Sequence, residues 1–222
     1  MCGRFSVALS ATTLASHFNV QESVEWRERY NLTPSQEVLT VVQPAGGGRE
    51  FRRMRWGLIP SWAKDPAIGN QLINARAETV ASKPAFRTAL RERRCLIVTD
   101  GFYEWQAQGG RKQPWCIRRR DGLPFAFAGL WERWADPGGK VIESCTIITT
   151  TPNEIIIKFH HRMPVIVSPG DYDRWLDPRI HDVELLLPLL VPYPATEMIA
   201  YPVSLLVNNP ANDTPACRAP AG

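Results

Sequence analysis

The second residue of the chain, Cys2, combines the two nucleophiles that are needed to trap an aldehyde. Removal of Met1, which a small second residue permits, leaves an α-amine and a thiol on the same residue. Their reference pKa values are about 7.7–8 and about 8.5, so both are partly nucleophilic at neutral pH. The amine can form a Schiff base, and the thiol can then close a five-membered thiazolidine ring. Position alone is equally consistent with a start-site cysteine that has no special role.

The segment Asn74–Glu78 carries a second group of candidate side chains. In an extended chain, Asn74 and Arg76 lie on the same face because side chains alternate along a strand. An amide and a guanidinium then form a candidate binding pair. The alternative is structural, with Asn74 and Glu78 capping the helix that follows.

The runs Tyr103-Glu104-Trp105 and His160-His161 offer candidates for proton transfer. A carboxyl group between two large aromatic residues is expected to be partly desolvated, which raises its pKa and suits acid–base work. The alternative for Glu104 is an ion pair with one of the many arginines. One of the two histidines can move protons near neutral pH. Adjacent histidines point apart and no further ligand lies nearby, so we expect no metal site.

The composition raises the prospect of nucleic-acid binding. Of the 26 basic residues, 21 are arginine, whose planar fork suits phosphate contacts, and the eight tryptophans offer faces on which bases can stack. Trp56 and Trp62 bracket a Gly–Pro turn, which indicates either a stacking wedge or the edge of a core. Arginine-rich surfaces also arise from codon usage in high-GC genomes.

The elements that must position these side chains are short. We predict an α+β fold with a single domain at residues 1–213, in which short strands form a β-barrel-like core flanked by short helices. Residues 214–222 are predicted to be a loose tail. The expected strands are 38–42, 51–58, 95–99, 115–118, 125–130 and 144–150; the expected helices cover 14–18 and begin near Pro84, at the capping box Thr151–Glu154 and near Ser168.

The chain shows no secretory signal and no apolar run of membrane-spanning length. Its five cysteines are widely spaced and form no CxxC pair, so neither a disulfide framework nor a zinc knuckle is indicated. We therefore expect a reduced, cytoplasmic protein that is associated with the nucleoid and makes no membrane contact.

Six segments in this order resemble the SOS response-associated peptidase (SRAP) family. The segments are Met1–Phe5, Tyr30–Pro34, Arg55–Pro60, Asn74–Thr79, Gly101–Trp105 and His160–Pro164. The C-terminal positions Val203, Ser204, Val207, Asn208, Asn212 and Asp213 also match the family's last motif. The resemblance covers nearly the whole chain.

The resemblance implies a site and a reaction. Family members form a thiazolidine between their N-terminal cysteine and the ring-opened aldehyde of an abasic site in single-stranded DNA. The catalytic positions that match are Cys2, Asn74, Glu104 and His160. His160 is preferred to His161 because the family histidine lies two residues before the arginine of the Arg-Met-Pro motif.

The same resemblance, together with residue chemistry, suggests the DNA contacts. Arg4, Arg76 and Arg162 stand beside catalytic positions and are predicted phosphate contacts, and Pro34 and Trp56 are predicted wedges against the bases that flank the lesion. The expected partner is single-stranded DNA with abasic sites, including strand–duplex junctions, bound by a monomer without metal or other cofactor.

Two other functions use the same residues. An N-terminal-nucleophile cysteine peptidase or hydrolase would also use Cys2 with a nearby acid–base group, and it would turn over peptide substrates. A non-covalent nucleic-acid-binding module would use the arginines and tryptophans alone, and its binding would survive Cys2→Ala.

Overall fold

The computed structural model describes residues 2–21 and 24–221. Within these ranges the fold contains short strands and three short α-helices, which we number in chain order. The strands are β1 (Phe5–Val7), β2 (Arg29–Leu32), β3 (Glu37–Val42), β4 (Glu50–Trp56), β5 (Asn74–Arg76), β6 (Arg94–Thr99), β7 (Gly101–Gln108), β8 (Arg111–Arg119), β9 (Phe125–Ala135), β10 (Val141–Thr150), β11 (Met163–Pro164), β12 (Ile166–Val167) and β13 (Met198–Pro202). The helices are α1 (Ala11–Phe18), α2 (Arg87–Glu92) and α3 (Tyr172–Leu176).

Five of the strands close into a barrel. The strand order β10-β4-β3-β6-β9 returns to its start because β9 also pairs with β10. Closure removes the exposed edges that an open sheet would present. Strand β6 is buried along its whole length, since the barrel covers one side and neighbouring segments cover the other. The α+β class and the barrel-like core that the sequence predicts are confirmed.

A second sheet, in the order β13-β8-β7-β1-β2, packs against the barrel. Phe5 of β1 and Phe102 of β7 both contact the ring of Phe127 on barrel strand β9, with centroids 5.7 and 5.8 Å apart and near-perpendicular planes. Edge-to-face packing of this kind is favourable for aromatic rings. The shared core fixes β1 and β7 next to each other. The candidate residue Cys2 lies just before β1, and the candidate residue Glu104 lies in β7.

The predicted helix at 14–18 is confirmed within α1. Ser10 caps its first turn by accepting a hydrogen bond from the Thr13 backbone N–H, and Asn19 ends it in the left-handed region at a φ of 53°. Leu14 and Phe18 lie one turn apart and face the core. The predicted strands all fall within observed strands, apart from the end of 51–58, because β4 stops at Trp56.

The helix predicted to begin at the capping box Thr151–Glu154 is not an α-helix, and it begins later. The Asn153 side chain accepts hydrogen bonds from the backbone N–H groups of Ile155 and Ile156, but only the short 3₁₀ helix Ile156–Lys158 follows. Three consecutive β-branched residues lower helix propensity at this point. The helix expected near Pro84 begins later, at Arg87.

The predicted loose tail is wrong for residues 214–221. Cys217 is buried, and the backbone N–H of Ala221 donates to the Pro202 carbonyl at 2.9 Å. Arg218 donates to the buried carboxylate of Asp100 at 2.5 Å. This carboxylate also accepts a hydrogen bond from Ser6, so the C-terminal segment is tied to β1 through one buried ion pair.

No α-helix within residues 2–21 and 24–221 has the length and hydropathy required to cross a membrane. The five cysteines are buried and none of them is in a disulfide.

Candidate active site

The four predicted catalytic residues come from four separate segments. Cys2 precedes β1, Glu104 lies in the middle of β7, and Asn74 begins β5, which runs parallel to β10. His160 follows the 3₁₀ helix Ile156–Lys158. Strand pairing between β1 and β7 brings Phe5 opposite Phe102, which places the start of the chain beside the Glu104 strand.

Cys2 is fully buried and is held by Asn74. The Asn74 Nδ2 group donates a hydrogen bond to the Cys2 carbonyl oxygen at 3.0 Å. Burial raises the pKa of the Cys2 thiol, and the nearby Glu104 carboxylate raises it further. The thiol is therefore neutral at pH 7 and would need a proton acceptor to react as a thiolate.

Asn74 keeps an unused acceptor at this site. Its Oδ1 atom is buried and accepts no hydrogen bond from residues 2–21 or 24–221. A buried acceptor without a donor is costly, so such an atom is suited to a group that arrives with a substrate. The alternative role of Asn74 as a helix cap is not observed, because β5 continues as strand from this residue.

Glu104 is a buried carboxyl group, with 5% of the residue exposed. Desolvation raises its pKa to about 7 from an ordinary value of 4.5, so both protonation states are populated at neutral pH. The sequence predicts the direction of this shift correctly but assigns it to the wrong neighbours. Tyr103 belongs to a separate buried cluster and donates to the Tyr30 carbonyl, since adjacent strand residues face opposite sides.

This raised pKa predicts a pH-dependent stability difference between the wild type and Glu104→Gln. Between pH 4.5 and about 7 the unfolded chain ionises Glu104 while the folded chain keeps it protonated. Wild-type stability should therefore fall relative to the variant by about 3 kcal/mol across this window and stay level above it. Urea unfolding at several pH values measures the difference, with exposed Glu154→Gln as the matched control. Parallel stability curves for the wild type and Glu104→Gln would contradict the shift.

His160 is held in one orientation by its own loop. Its Nδ1 atom accepts a hydrogen bond from the Arg162 backbone N–H at 3.0 Å, which places the proton of the neutral ring on Nε2. Burial lowers the pKa of His160, and neighbouring positive charges add to this effect. The ring is thus neutral at pH 7 and presents a donor. His161 stacks on it, with centroids 4.3 Å apart, but is itself exposed.

Glu104 and His160 line the same open cleft, of about 490 Å³, which we call the reaction cleft. Its other lining residues are Arg4, Trp105, Lys112 and Asn208. Cys2 is buried and does not line this cleft, but it lies close enough to Glu104 for the charge of that carboxylate to affect its thiol. The arrangement brings together Cys2, a carboxyl group whose pKa is about 7 and a histidine N–H donor.

The three predicted phosphate contacts have different surroundings. Arg4 lines the cleft over the Trp105 ring and donates to the Val207 carbonyl at 2.5 Å. Arg76 is exposed at the end of β5. Arg162 is buried and bound through both terminal nitrogens to Glu78, at 2.6 and 2.9 Å.

The Arg162–Glu78 ion pair has consequences for both residues. Hydrogen bonding by the guanidinium lowers the pKa of Glu78, and a further bond to the Thr149 carbonyl ties the His160 loop to β10. The guanidinium is committed to these partners, which leaves the predicted phosphate contact of Arg162 without support in the geometry.

The prediction that Trp56 is a wedge against DNA bases is wrong. Trp56 is 0% exposed, its ring packs against Phe5 and its Nε1 donates to the Ile73 carbonyl at 2.9 Å. Trp62, at the other side of the same motif, is 60% exposed. Pro34 lies partly exposed in the turn between β2 and β3.

Sequence reasoning did not assign Lys112 and Asn208 to the site. Asn208 reaches the cleft from the C-terminal segment and accepts a hydrogen bond from Trp105 Nε1 at 2.7 Å. Lys112 comes from β8, opposite Ala107 of β7. The sequence points to Asn208 only through its place in the C-terminal family motif, and no sequence feature points to Lys112.

The part of the chain that the structure describes contains no cluster of three or more His, Cys, Asp or Glu side chains that could hold a metal ion.

A known family matches nearly the whole chain. The family model described as "SOS response associated peptidase (SRAP)" matches residues 1–210. A protein from Bacillus subtilis (strain 168) named "Abasic site processing protein YoqW" is 44% identical over 219 residues, which cover 97% of each chain. A protein from Gallus gallus named "Abasic site processing protein HMCES" is 33% identical, over 99% of this chain and 78% of its own.

Solved structures share the architecture. A protein from Bacteroides thetaiotaomicron superposes with a TM-score of 0.89 at 28% identity, covering 99% of this chain and all of the other. A second, from Bordetella bronchiseptica, gives a TM-score of 0.79 at 27% identity over 92% of this chain and all of the other.

Proposed function

Because the chain belongs to the SOS response-associated peptidase family, we propose that it processes abasic sites by covalent capture. In this proposal Met1 is removed, and the α-amine and thiol of Cys2 trap the ring-opened aldehyde of an abasic site in single-stranded DNA. The names of the relatives support abasic-site processing as the general role. The thiazolidine chemistry rests on the residues of this chain and on the family resemblance.

One observation carries the proposal: the Cys2 thiol lies beside a carboxyl group whose pKa is about 7. A carboxyl group with this pKa can both accept and return a proton at neutral pH. Amine and thiol addition to an aldehyde requires both transfers. An unshifted glutamate would be ionised throughout and would serve only as an acceptor.

The proposed reaction begins with opening of the sugar ring. An abasic deoxyribose is mostly a closed hemiacetal, so the C1′ hydroxyl must lose a proton and the ring oxygen must gain one. Glu104 in its ionised form takes the proton of the C1′ hydroxyl and delivers it to the ring oxygen. The Nε2–H group of His160 donates a hydrogen bond to this oxygen as its bond to C1′ breaks. The product is a free aldehyde at C1′.

Capture then proceeds in two bond-forming steps. The Cys2 amine adds to C1′ and one of its protons moves to the former carbonyl oxygen, which gives a carbinolamine. Glu104 then takes the proton of the Cys2 thiol and passes it to the carbinolamine hydroxyl, which leaves as water and leaves a protonated C=N group. The thiolate sulfur adds to the carbon of this group, and the C=N π electrons move to nitrogen, which gives a neutral ring N–H. The ring holds one C–N and one C–S bond, with one water released overall. The unused Asn74 Oδ1 accepts a hydrogen bond from the amine during these steps.

The surroundings of the cleft favour an unpaired strand. Arg4 and Lys112 supply positive charge at its rim, and Trp105 supplies a flat apolar face. A stacked duplex cannot bring C1′ to a buried N-terminus, so the proposed substrate is single-stranded DNA or a strand–duplex junction.

Intact-mass analysis tests the proposal directly. After incubation with an oligonucleotide that contains one abasic site, the protein without Met1 should gain one oligonucleotide mass less one water. The adduct should survive heating in denaturant. Protein that stays unmodified, and instead turns over peptides through Cys2, would replace the proposal with the hydrolase alternative.

The exposed arginine Arg76 is expected to contact the DNA backbone. Arg76→Ala should weaken binding to all single-stranded sequences and lower the slope of log affinity against log salt by about 0.7, the value for one lost phosphate contact. Arg162→Ala should leave this slope unchanged because the guanidinium is paired with Glu78. Fluorescence anisotropy over a salt series measures both, with Arg179→Ala, which lies in an exposed ion pair, as the control. A lower salt slope in Arg162→Ala but not in Arg76→Ala would show that Arg162, and not Arg76, contacts a phosphate.

A further inference from the structure

A second concave surface adjoins the reaction cleft, and no step of the proposed reaction uses it. This flanking pocket, of about 360 Å³, is lined by aromatic, aliphatic and cationic side chains. The residues that carry the argument are Trp115, Arg120, Ile155, Lys158, Phe159 and Met198. Its volume lies at the lower end of the range for small-ligand sites, which suits a single base with its sugar.

Two lining residues of the pocket are direct neighbours of residues that line the reaction cleft. Trp115 of β8 stands directly opposite Glu104 of β7, and residues in such cross-strand pairs face the same side of the sheet. Phe159 immediately precedes His160 in the chain. The aromatic wall of the pocket therefore adjoins both side chains that we assign to proton transfer, and a strand seated over them reaches the pocket with its next nucleotide.

The wall of the pocket has the character of a base-stacking platform. The rings of Trp115 and Phe159 pack on each other with centroids 5.2 Å apart at an angle of 44°, and each ring is partly exposed. Ile155 and Met198 extend the apolar surface behind them. Paired aromatic faces of this kind accept any base, because every base presents a π-face.

The charge of the pocket suits a nucleotide rather than an uncharged apolar ligand. Arg120 is fixed at the rim by hydrogen bonds to the carbonyls of Thr196 and Met198, at 3.1 and 3.2 Å. Lys158 also lines the pocket and is exposed. The described residues that line the pocket include these two cations and no carboxylate. A phosphate group at the rim would therefore meet two positive charges.

We propose that the flanking pocket binds the nucleotide next to the abasic site on one side, with its base stacked on Phe159 and Trp115 and its phosphate near Lys158 and Arg120. This inference rests on the proposed function, since it requires the abasic sugar to occupy the reaction cleft. It assigns to the protein a contact with an intact neighbour of the lesion, in addition to the lesion itself.

The test compares DNA that has a base next to the lesion with DNA that lacks it. Oligonucleotides carry a tetrahydrofuran residue, which cannot open to an aldehyde, at the lesion position, so that equilibrium binding is measured without capture. A second tetrahydrofuran replaces the neighbouring nucleotide on the 5′ side or on the 3′ side. For the wild type we expect affinity to fall about 5- to 150-fold for replacement on one side only, the range that stacking of one base supplies.

The protein variants complete a double-mutant cycle. Phe159→Leu should weaken binding to the oligonucleotide with the base by a similar factor and should lose its sensitivity to base removal. Ile157→Ala is the matched control, because Ile157 is a 58% exposed neighbour that does not line the pocket. Lys158→Ala should lower the salt slope by about 0.7, whereas Lys140→Ala, in the turn before β10, should not change it.

The outcomes separate the pocket from the proposed function. The pocket assignment is wrong if removal of the neighbouring base, on the 5′ side and on the 3′ side alike, leaves the affinity of the wild type unchanged. It is also wrong if the affinity of Phe159→Leu still falls by the full wild-type factor when the base is removed. Wild-type protein that fails to crosslink DNA with a reactive abasic site overturns the proposed function instead. If Phe159→Leu does not fold, the wild-type comparison of the oligonucleotides and the Lys158→Ala salt slope still decide the question.

Discussion

Cys2→Ala is expected to abolish the stable crosslink to abasic single-stranded DNA. The variant keeps an α-amine once Met1 is removed, but it has no thiol to close the ring. A Schiff base alone is reversible in water, so the adduct should disappear on denaturation. Gel electrophoresis under denaturing conditions and intact-mass analysis both measure this loss, which should be complete.

Cys2→Ser separates the two nucleophiles of this residue. Its amine can still form a Schiff base, which borohydride reduction should trap, while the unreduced adduct should hydrolyse. Cys145→Ala is the matched control, because Cys145 is another fully buried cysteine but lies in the barrel wall. An undiminished, hydrolysis-resistant crosslink in Cys2→Ala would contradict the thiazolidine mechanism.

Local sequence patterns predict the strands of this protein well because short-range alternation and turn residues determine them. The runs at 95–99 and 125–130 are confirmed within β6 and β9. Closure of the barrel depends on the pairing of β9 with β10 and on the parallel pairing of β10 with β4. The β9–β10 pairing is a hairpin between consecutive strands, whereas the β10–β4 pairing joins Ser144 to Arg55. This second pairing brings distant segments together through side-chain packing, so no local pattern encodes it.

Motif membership identifies important residues without saying whether their role is chemical or structural. Trp56 and Gly57 illustrate this limit. Gly57 has a φ of 127°, and a Cβ atom there would lie 2.5 Å from the Gly69 carbonyl oxygen, so only glycine fits. The motif around these two residues builds a close backbone contact and a buried ring. The stacking-wedge interpretation misses both, whereas the core-edge alternative agrees with the buried ring but does not predict the close contact.

The C-terminal motif has a structural role of the same kind. The Asn31 side chain donates to the carbonyls of Val207, Asn209 and Asn212, and the Asp213 carboxylate accepts from the backbone of Tyr30 and Asn31. These bonds hold Asn208 at the cleft. Because the two segments are separated by more than 170 residues, their pairing follows from the fold alone.

Glu104→Gln and His160→Ala are expected to slow crosslinking by about 10²–10⁴-fold each, the usual contribution of general acid–base catalysis. The glutamine cannot move the proton of the C1′ hydroxyl to the ring oxygen, and it cannot move the thiol proton to the leaving hydroxyl. The alanine removes the Nε2–H donor that faces the ring oxygen in the proposed mechanism. Affinity for undamaged single strands should stay near the wild-type value, because neither change removes a positive charge at pH 7.

The pH dependence distinguishes Glu104 from a residue that only shapes the cleft. Its pKa of about 7 lies below the reference value of the α-amine, about 7.7–8, so the wild-type rate should rise with pH through both ionisations. In the pH–rate profile of Glu104→Gln, the ionisation near pH 7 should vanish and that of the α-amine should remain. His160→Ala should keep both, since neither ionisation belongs to this histidine, whose pKa burial lowers from its ordinary value.

Single-turnover crosslinking at saturating DNA from pH 5.5 to 9 is the measurement, and His161→Ala is the control. His161 stacks on His160 but is exposed and does not line the reaction cleft, so its loss should change the rate only a few-fold. A slow His161→Ala with a fast His160→Ala would show that the assignment within the histidine pair is wrong. A Glu104→Gln rate close to the wild type at pH 7 would remove the carboxyl group from the mechanism, because the proposed reaction requires this group to carry a proton both ways.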